Sequence, residues 1–153
     1  SDNKIDNELI AGGETAGIPY AAFISQKLKK PMIYVRKKPK GFGINKQIEG
    51  EFKKNQSTLL VEDLATDGGS KITFVKAIRD ADLIVKDIFV IFYYDIFDFQ
   101  NSDLSKLDVQ IHSLCTWQNI VTYIEKNNLY SEAEILSLKE FLNDPQGWRK
   151  NNG

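Results

Sequence analysis

Two adjacent acids, Glu62 and Asp63, follow the short apolar run Leu59–Val61 and precede the turn Leu64-Ala65-Thr66-Asp67-Gly68-Gly69-Ser70. The apolar run reads as a buried strand that delivers two carboxylates to the carboxyl edge of a sheet. The turn after it can wrap an anion with backbone N–H groups and present it to the N-terminus of a helix opening at Ser70. Paired acids beside an anion cradle suit a ligand that carries both ribose hydroxyls and a phosphate. As strand-end acids, Glu62 and Asp63 are expected to be exposed and to contribute little packing. Acids followed by Gly-Gly also occur as solvated turns in many α/β proteins. What favours a ligand here is the complete order of strand, acids, Gly-rich turn, capping Ser and amphipathic helix.

Two further segments hold residues suited to the same chemistry. Gly12-Gly13-Glu14-Thr15-Ala16-Gly17 lies between a strand and a helix, and such a turn lets backbone approach a phosphate closely. Alone it is an ordinary strand-to-helix turn; beside the Glu62-Asp63 loop it becomes a natural pyrophosphate site. Arg36-Lys37-Lys38-Pro39-Lys40 packs four cations into five positions, followed by Gly41-Phe42-Gly43. A solvated basic turn has this composition too. Coming directly after a strand, it can bring Arg36 as a bidentate group, and Lys37 and Lys40 as point charges, over a departing polyanion. His112 is the only histidine and stands in strand-like context, where a packed or edge role outweighs a catalytic one. Cys115, the only cysteine, lies in an apolar stretch and reads as buried filler. There is no His/Cys cluster, so any metal must be a hard ion such as Mg²⁺, held mostly by substrate oxygens and at most one carboxylate.

The elements that must position these residues alternate. Strands are expected at Glu8–Ala11, Met32–Val35, Thr58–Val61, Asp87–Tyr94 and Val109–Leu114. Helices are expected at Ala16–Lys29, with Pro19 in the first turn, and at Lys71–Ala81. Thr116 is expected to cap a helix to Lys126, and Ser131 with Glu134 has capping-box spacing for a last helix to Asn143. Residues 36–50 and 95–106 read as loops, and Arg149–Gly153 as a frayed tail. Strand–helix alternation predicts an α/β fold with a mainly parallel sheet covered on both faces. Ile88–Tyr93, apolar on both faces, fits an interior strand. The loops 12–17, 36–49 and 62–70 should then meet at the carboxyl edge, where such sheets bind ligands. At 153 residues the chain suits a single domain, over residues 1–148, and its net charge of −1 speaks against a general nucleic-acid binder. No apolar run is long enough to span a bilayer, and the lone cysteine fits a reducing cytosol.

These residues closely resemble the orotate phosphoribosyltransferases, type I phosphoribosyltransferases of pyrimidine biosynthesis. The stretches Ala11–Pro19, Tyr34–Gly43 with Gln47–Gly50, and Leu59–Ser70 carry the likeness, which extends to Phe141–Pro145. Their Arg-Lys-Lys-Pro-Lys-Gly-Phe-Gly and Glu-Asp-Leu-Ala-Thr-Asp-Gly-Gly-Ser forms look like the alphaproteobacterial version. The resemblance implies a type I phosphoribosyltransferase fold and transfer of the phosphoribosyl group from 5-phosphoribosyl-1-pyrophosphate (PRPP) to orotate. The products would be orotidine 5′-phosphate and pyrophosphate, with Mg²⁺ as cofactor. It implies that Glu62 and Asp63 hold the ribose hydroxyls, with Asp63 the one protein group near Mg²⁺. Leu64, Ala65, Thr66, Asp67, Gly68, Gly69 and Ser70 would cradle the 5-phosphate, with Thr66 also near orotate. Gly13, Glu14, Thr15 and Ala16 would touch pyrophosphate. Arg36, Lys37 and Lys40 would act in catalysis, usually across a homodimer interface.

The chain departs from the family pattern in several places. Phe42 stands where many members have a loop histidine, Ala16 where many have a lysine, and Tyr94-Asp95 where an orotate-binding arginine is common. Family members usually carry a further N-terminal segment, a hood over orotate, ahead of the first strand here. Two other readings stay open at this level: a phosphoribosyltransferase for another base, and a PRPP-binding or assembly module without catalysis.

Overall fold

The computed structural model describes residues 6–41, 47–66, 69–96, 102–145 and 147–148. Its strands are β1 (Leu9–Gly13), β2 (Met32–Val35), β3 (Ile48–Glu49), β4 (Ser57–Ala65), β5 (Ile84–Tyr93) and β6 (Gln110–Thr116). Its α-helices are α1 (Gly17–Leu28), α2 (Gly69–Asp80), α3 (Trp117–Lys126) and α4 (Glu132–Asn143). The strands form one sheet in the order β3-β2-β1-β4-β5-β6. All neighbouring pairs are parallel except β2–β3.

Side-chain alternation along the strands sends residues to two cores. Ile10, Leu59 and Val61 pack with Ala21 of α1, while Leu9, Ala11, Leu60, Ile88 and Val90 pack with Phe74, Val75 and Ile78 of α2. The expected two-faced covering of a mainly parallel sheet is therefore present. β5 lies between β4 and β6, as its apolar run requires. The expected cap at Thr116 and the expected capping box at Ser131 both form, and Thr116 proves to be half of a second box, with Asn119. Thr116 Oγ1 accepts from the Asn119 N–H, and Ser131 Oγ from the Glu134 N–H.

Three boundaries that bear on the site differ from the sequence expectation. β1 continues through Gly12 and Gly13 rather than ending at Ala11, because both glycines pair with Tyr34 and Val35 of β2. The stretch 36–50 is not all loop: β3 returns antiparallel to β2, with Val35 opposite Ile48 and Tyr34 opposite Glu49. β4 runs on to Ala65, so Glu62 and Asp63 lie inside the strand and not beyond its end. The cause is the length of β5, which keeps pairing past the acids, with Val90 opposite Glu62 and Phe92 opposite Leu64. The frayed tail expected at 149–153 lies outside the described residues, as do Phe42, Gly43, Asp67 and Gly68.

Candidate active site

The carboxyl ends of β1, β2 and β4 open onto a cleft of ≈ 370 Å³. Glu14, Thr15 and Ala16 line one side, Glu62, Asp63, Leu64, Thr66, Ser70 and Lys71 the other, and Lys37 reaches in from the loop after β2. The three loops that the sequence singled out thus meet at one place. Cross-links hold the first two together. The Glu14 N–H donates to the Val35 carbonyl at 2.9 Å, and its carboxylate accepts from the Lys37 N–H at 2.7 Å. The Glu14–Thr15 peptide bond is cis. Ala16, at the N-cap of α1, has no side-chain oxygen to cap it. A helix start without a side-chain cap, facing a cleft, keeps backbone N–H groups for an anion.

The two acids differ in environment. Asp63 is half-buried and faces the cleft. Glu62, expected to be exposed, is buried at 5 % exposure. By strand alternation it falls on the α2 side with Leu60, where Lys71, also 5 % exposed, meets it. The Lys71 ammonium lies 3.2 Å from Glu62 Oε2. It also donates to the Leu64 carbonyl and lies 3.2 Å from Ser70 Oγ. Burial pushes the Glu62 carboxyl above its ordinary value, Lys71 pulls it back by charge and hydrogen bond, Asp63 pushes it up, and Lys37 lowers it. The other carboxylate oxygen fills the space a Cβ would take at Gly13 and crowds Gly17 as well. The glycines of the first loop therefore serve close packing against Glu62 as much as any ligand.

Of the basic loop's residues, Lys37 lines the cleft, and Lys40 is exposed outside its lining. Arg36 is committed elsewhere. Its Nε and Nη2 donate to Glu49 Oε1 at 3.0 and 2.8 Å, and Nη2 also donates to the Tyr34 hydroxyl at 2.8 Å. The guanidinium sits over the Tyr34 ring, and Glu49 raises its pKa further. The arginine expected to grip a polyanion thus fastens β2 to β3.

His112 pairs with Asp87 at 2.8 Å on the β5–β6 side of the sheet, which fits the packed role. Cys115 is only half-buried, its thiol directed at the Thr116 carbonyl. The buried-filler expectation fails in degree, because β6 is the outermost strand of its edge. Phe92, Tyr94 and Trp117 form an edge-to-face cluster, which fits packing. Lys71 was missed at the sequence level. Its signal was available: it shares the 71, 74, 75, 78 stripe with Phe74, Val75 and Ile78, and a cation on a core-facing stripe calls for a buried anion.

Among the described residues, no group of three or more His, Cys, Asp or Glu could hold a metal, and no helix is long and apolar enough to cross a membrane. Asp63, one of three carboxylates lining the cleft with Glu14 and Glu62, is a hard oxygen donor. One such donor beside ligand phosphates is the environment Mg²⁺ accepts.

No protein-family model matches the chain. Curated relatives do. The orotate phosphoribosyltransferase of Roseobacter denitrificans is 47% identical over 143 residues, 94% of this chain and 64% of its own length. That of a Ruegeria species is 48% identical over 94% of this chain and 63% of its own length. The chain thus spans a little under two thirds of these relatives. Among solved structures, the orotate phosphoribosyltransferase of Aeropyrum pernix superposes with a TM-score of 0.66 at 28% identity, covering 82% of this chain and 67% of that one. Leishmania donovani UMP synthase gives 0.73 at 26% identity, over 91% of this chain and 30% of that one. Adenine phosphoribosyltransferase of Saccharomyces cerevisiae, at 17% identity and a TM-score of 0.59, shares the fold. By sequence the chain is similar to the orotate phosphoribosyltransferases over a little under two thirds of their length, and its fold is that of the type I phosphoribosyltransferases.

Proposed function

We propose that this chain is the catalytic core domain of an orotate phosphoribosyltransferase, a glycosyltransferase that forms orotidine 5′-phosphate and pyrophosphate from orotate and PRPP. The observation that carries the reading is the single cleft in which an acid-bearing strand, a helix start and a basic loop converge. Asp63 and Glu62 accept hydrogen bonds from the ribose hydroxyls. Thr66 to Ser70, ending at the α2 N-terminus, hold the 5-phosphate through N–H groups and hydroxyls. Glu14 to Ala16 and the start of α1 receive the pyrophosphate, with Lys37 balancing its charge. Mg²⁺, held by the ligand's phosphate oxygens and Asp63, would neutralise leaving-group charge.

In the reaction the bond from ribose C1 to the pyrophosphate oxygen breaks, and its electron pair leaves with pyrophosphate. Orotate N1 forms the new bond to C1 through an oxocarbenium-like transition state, its N1–H bond breaks, and the proton leaves with the more basic pyrophosphate. The protein's share is positioning and electrostatics: it fixes the sugar at both ends and places cations where negative charge builds. Lys37 is the best placed of the basic loop's residues, while Lys40 needs movement of its loop to reach the ligand. A homodimer, with basic loops working across the interface, is the assembly the family resemblance supports, and a cytosolic location fits the single cysteine.

Calorimetry with PRPP and Mg²⁺, followed by orotate, tests the reading. Binding of both, and turnover with orotate but not adenine, hypoxanthine or uracil, is expected. Turnover with a purine and none with orotate would reassign the base. PRPP binding with no orotate binding or turnover would make the chain a binding module.

A further inference from the structure

The mechanism above leaves one buried charge without a role. Lys71 is 5 % exposed and stands on the core-facing stripe of α2. An ammonium has three donors, and three acceptors surround this one: Glu62 Oε2 at 3.2 Å, Ser70 Oγ at 3.2 Å, and the Leu64 carbonyl. These acceptors belong to two different parts of the cleft. Glu62 and Leu64 come from β4, beside the acid meant for the ribose hydroxyls. Ser70 comes from the first turn of α2, beside the cradle meant for the phosphate. The second oxygen of Glu62 is fenced by Gly13 and Gly17, so the carboxylate has little room to turn.

We infer that Lys71 is a positioning residue, tying the Glu62 carboxylate to the start of α2 so that one sugar phosphate meets its diol acceptor and its phosphate cradle in fixed register. This rests on the phosphoribosyl reading and adds to it a residue that acts through Glu62 and Ser70 without touching the ligand. Two simpler roles compete with it. The pair serves stability alone, or the ammonium bonds the phosphate directly.

The test titrates the full chain, with Mg²⁺, against PRPP, ribose 5-phosphate and inorganic pyrophosphate. Pyrophosphate has no diol, so a lesion confined to the tie spares it. Lys71→Met should weaken ribose 5-phosphate and PRPP by about tenfold or more while leaving pyrophosphate within about twofold, and Lys71→Arg should recover part of the loss. On a Glu62→Gln background the same Lys71→Met change should cost less than about twofold, the non-additivity expected of residues acting as a unit. An equal loss for pyrophosphate, a full loss persisting on the Glu62→Gln background, or no loss would each overturn the assignment. Should Lys71→Met not fold, the neutral Glu62→Gln/Lys71→Met pair and Lys71→Arg decide. Wild-type affinity of the pair for ribose 5-phosphate overturns the proposal; a loss equal to that of Glu62→Gln alone, together with a partial loss for ribose 5-phosphate but not pyrophosphate in Lys71→Arg, upholds it, and unaltered binding in Lys71→Arg overturns it. Wild-type chain that binds none of the three ligands refutes the phosphoribosyl reading itself, and the inference falls with it.

Discussion

Replacing Gly13 by Ala asks how closely β1 shuts over the buried acid. The added methyl would overlap the Glu62 carboxylate and come within 2.8 Å of the Phe74 ring. Gly13 does not have a left-handed backbone, so the obstacle is contact and not conformation. Phe74 is fully buried, and forcing a methyl into a packed core costs about 1–3 kcal/mol. Glu62 can yield only by leaving Lys71, and separating a buried ion pair costs roughly 3–5 kcal/mol. The two responses share one relaxation and do not simply add. A loss of about 3 kcal/mol or more is therefore expected. In urea, with a slope of about 1–3 kcal/mol/M, that loss moves the unfolding midpoint down by roughly 1–3 M. Combining Gly13→Ala with Glu62→Ala should be less damaging than the sum of the two, because the second change removes the overlapped group. A midpoint shift under about 0.3 M for Gly13→Ala, at unchanged slope, would refute the packing argument.

Three other outcomes are expected. Lys37→Ala should reduce PRPP affinity or turnover by about tenfold or more, the worth of a charge-assisted contact, and by more than Lys40→Ala does; equal effects measured in the same assay would deny Lys37 its nearer place. Chelating Mg²⁺ should weaken PRPP binding, and Asp63→Asn should lessen that dependence; calorimetry showing PRPP affinity indifferent to the metal would remove Mg²⁺ from the site. Hydrogen bonds from the Ser131 hydroxyl and N–H hold the Glu134 carboxyl below its ordinary value. A depressed carboxyl contributes stability that is present above that value and is lost as pH falls through the lowered one. The helical circular dichroism of Glu134→Gln should therefore differ from wild type at neutral pH and converge with it in acid, and a constant difference down to low pH would contradict the capping role.

Much of the site was legible because it is local in sequence. Strand, acids, Gly-rich turn and helix start occupy consecutive positions, and alternation of elements is enough to bring the other two loops to the same edge. Pairing between distant segments was harder to read. β3 has only two residues, so no periodicity announces it, and it exists because Arg36 and Gln47 bond across to Glu49 and back to the Arg36 carbonyl. The extent of β4 depends on how far β5 accompanies it, which the β4 residues do not encode. The burial of Glu62 follows from that extension: a residue three positions inside a paired strand faces a helix, whereas one at a strand end faces solvent. Departures such as Ala16 for lysine are visible in the sequence, yet their structural counterpart, a helix start with no side-chain cap, required the fold.

The small β2–β3 hairpin has a consequence for how this region can change over time. Its base is fastened by the Arg36–Glu49 pair, by the Arg36 N–H to the Gln47 carbonyl at 2.7 Å, and by the Gln47 side chain to the Arg36 carbonyl at 2.8 Å. With both ends anchored in the sheet, the span between them is a cassette. Doubling the length of such a span adds only about 0.6 kcal/mol of closure entropy. Apart from Lys37, whose N–H holds Glu14 and whose side chain lines the cleft, and Lys40, the span can change in length at small entropic cost while its fastened base stays in place.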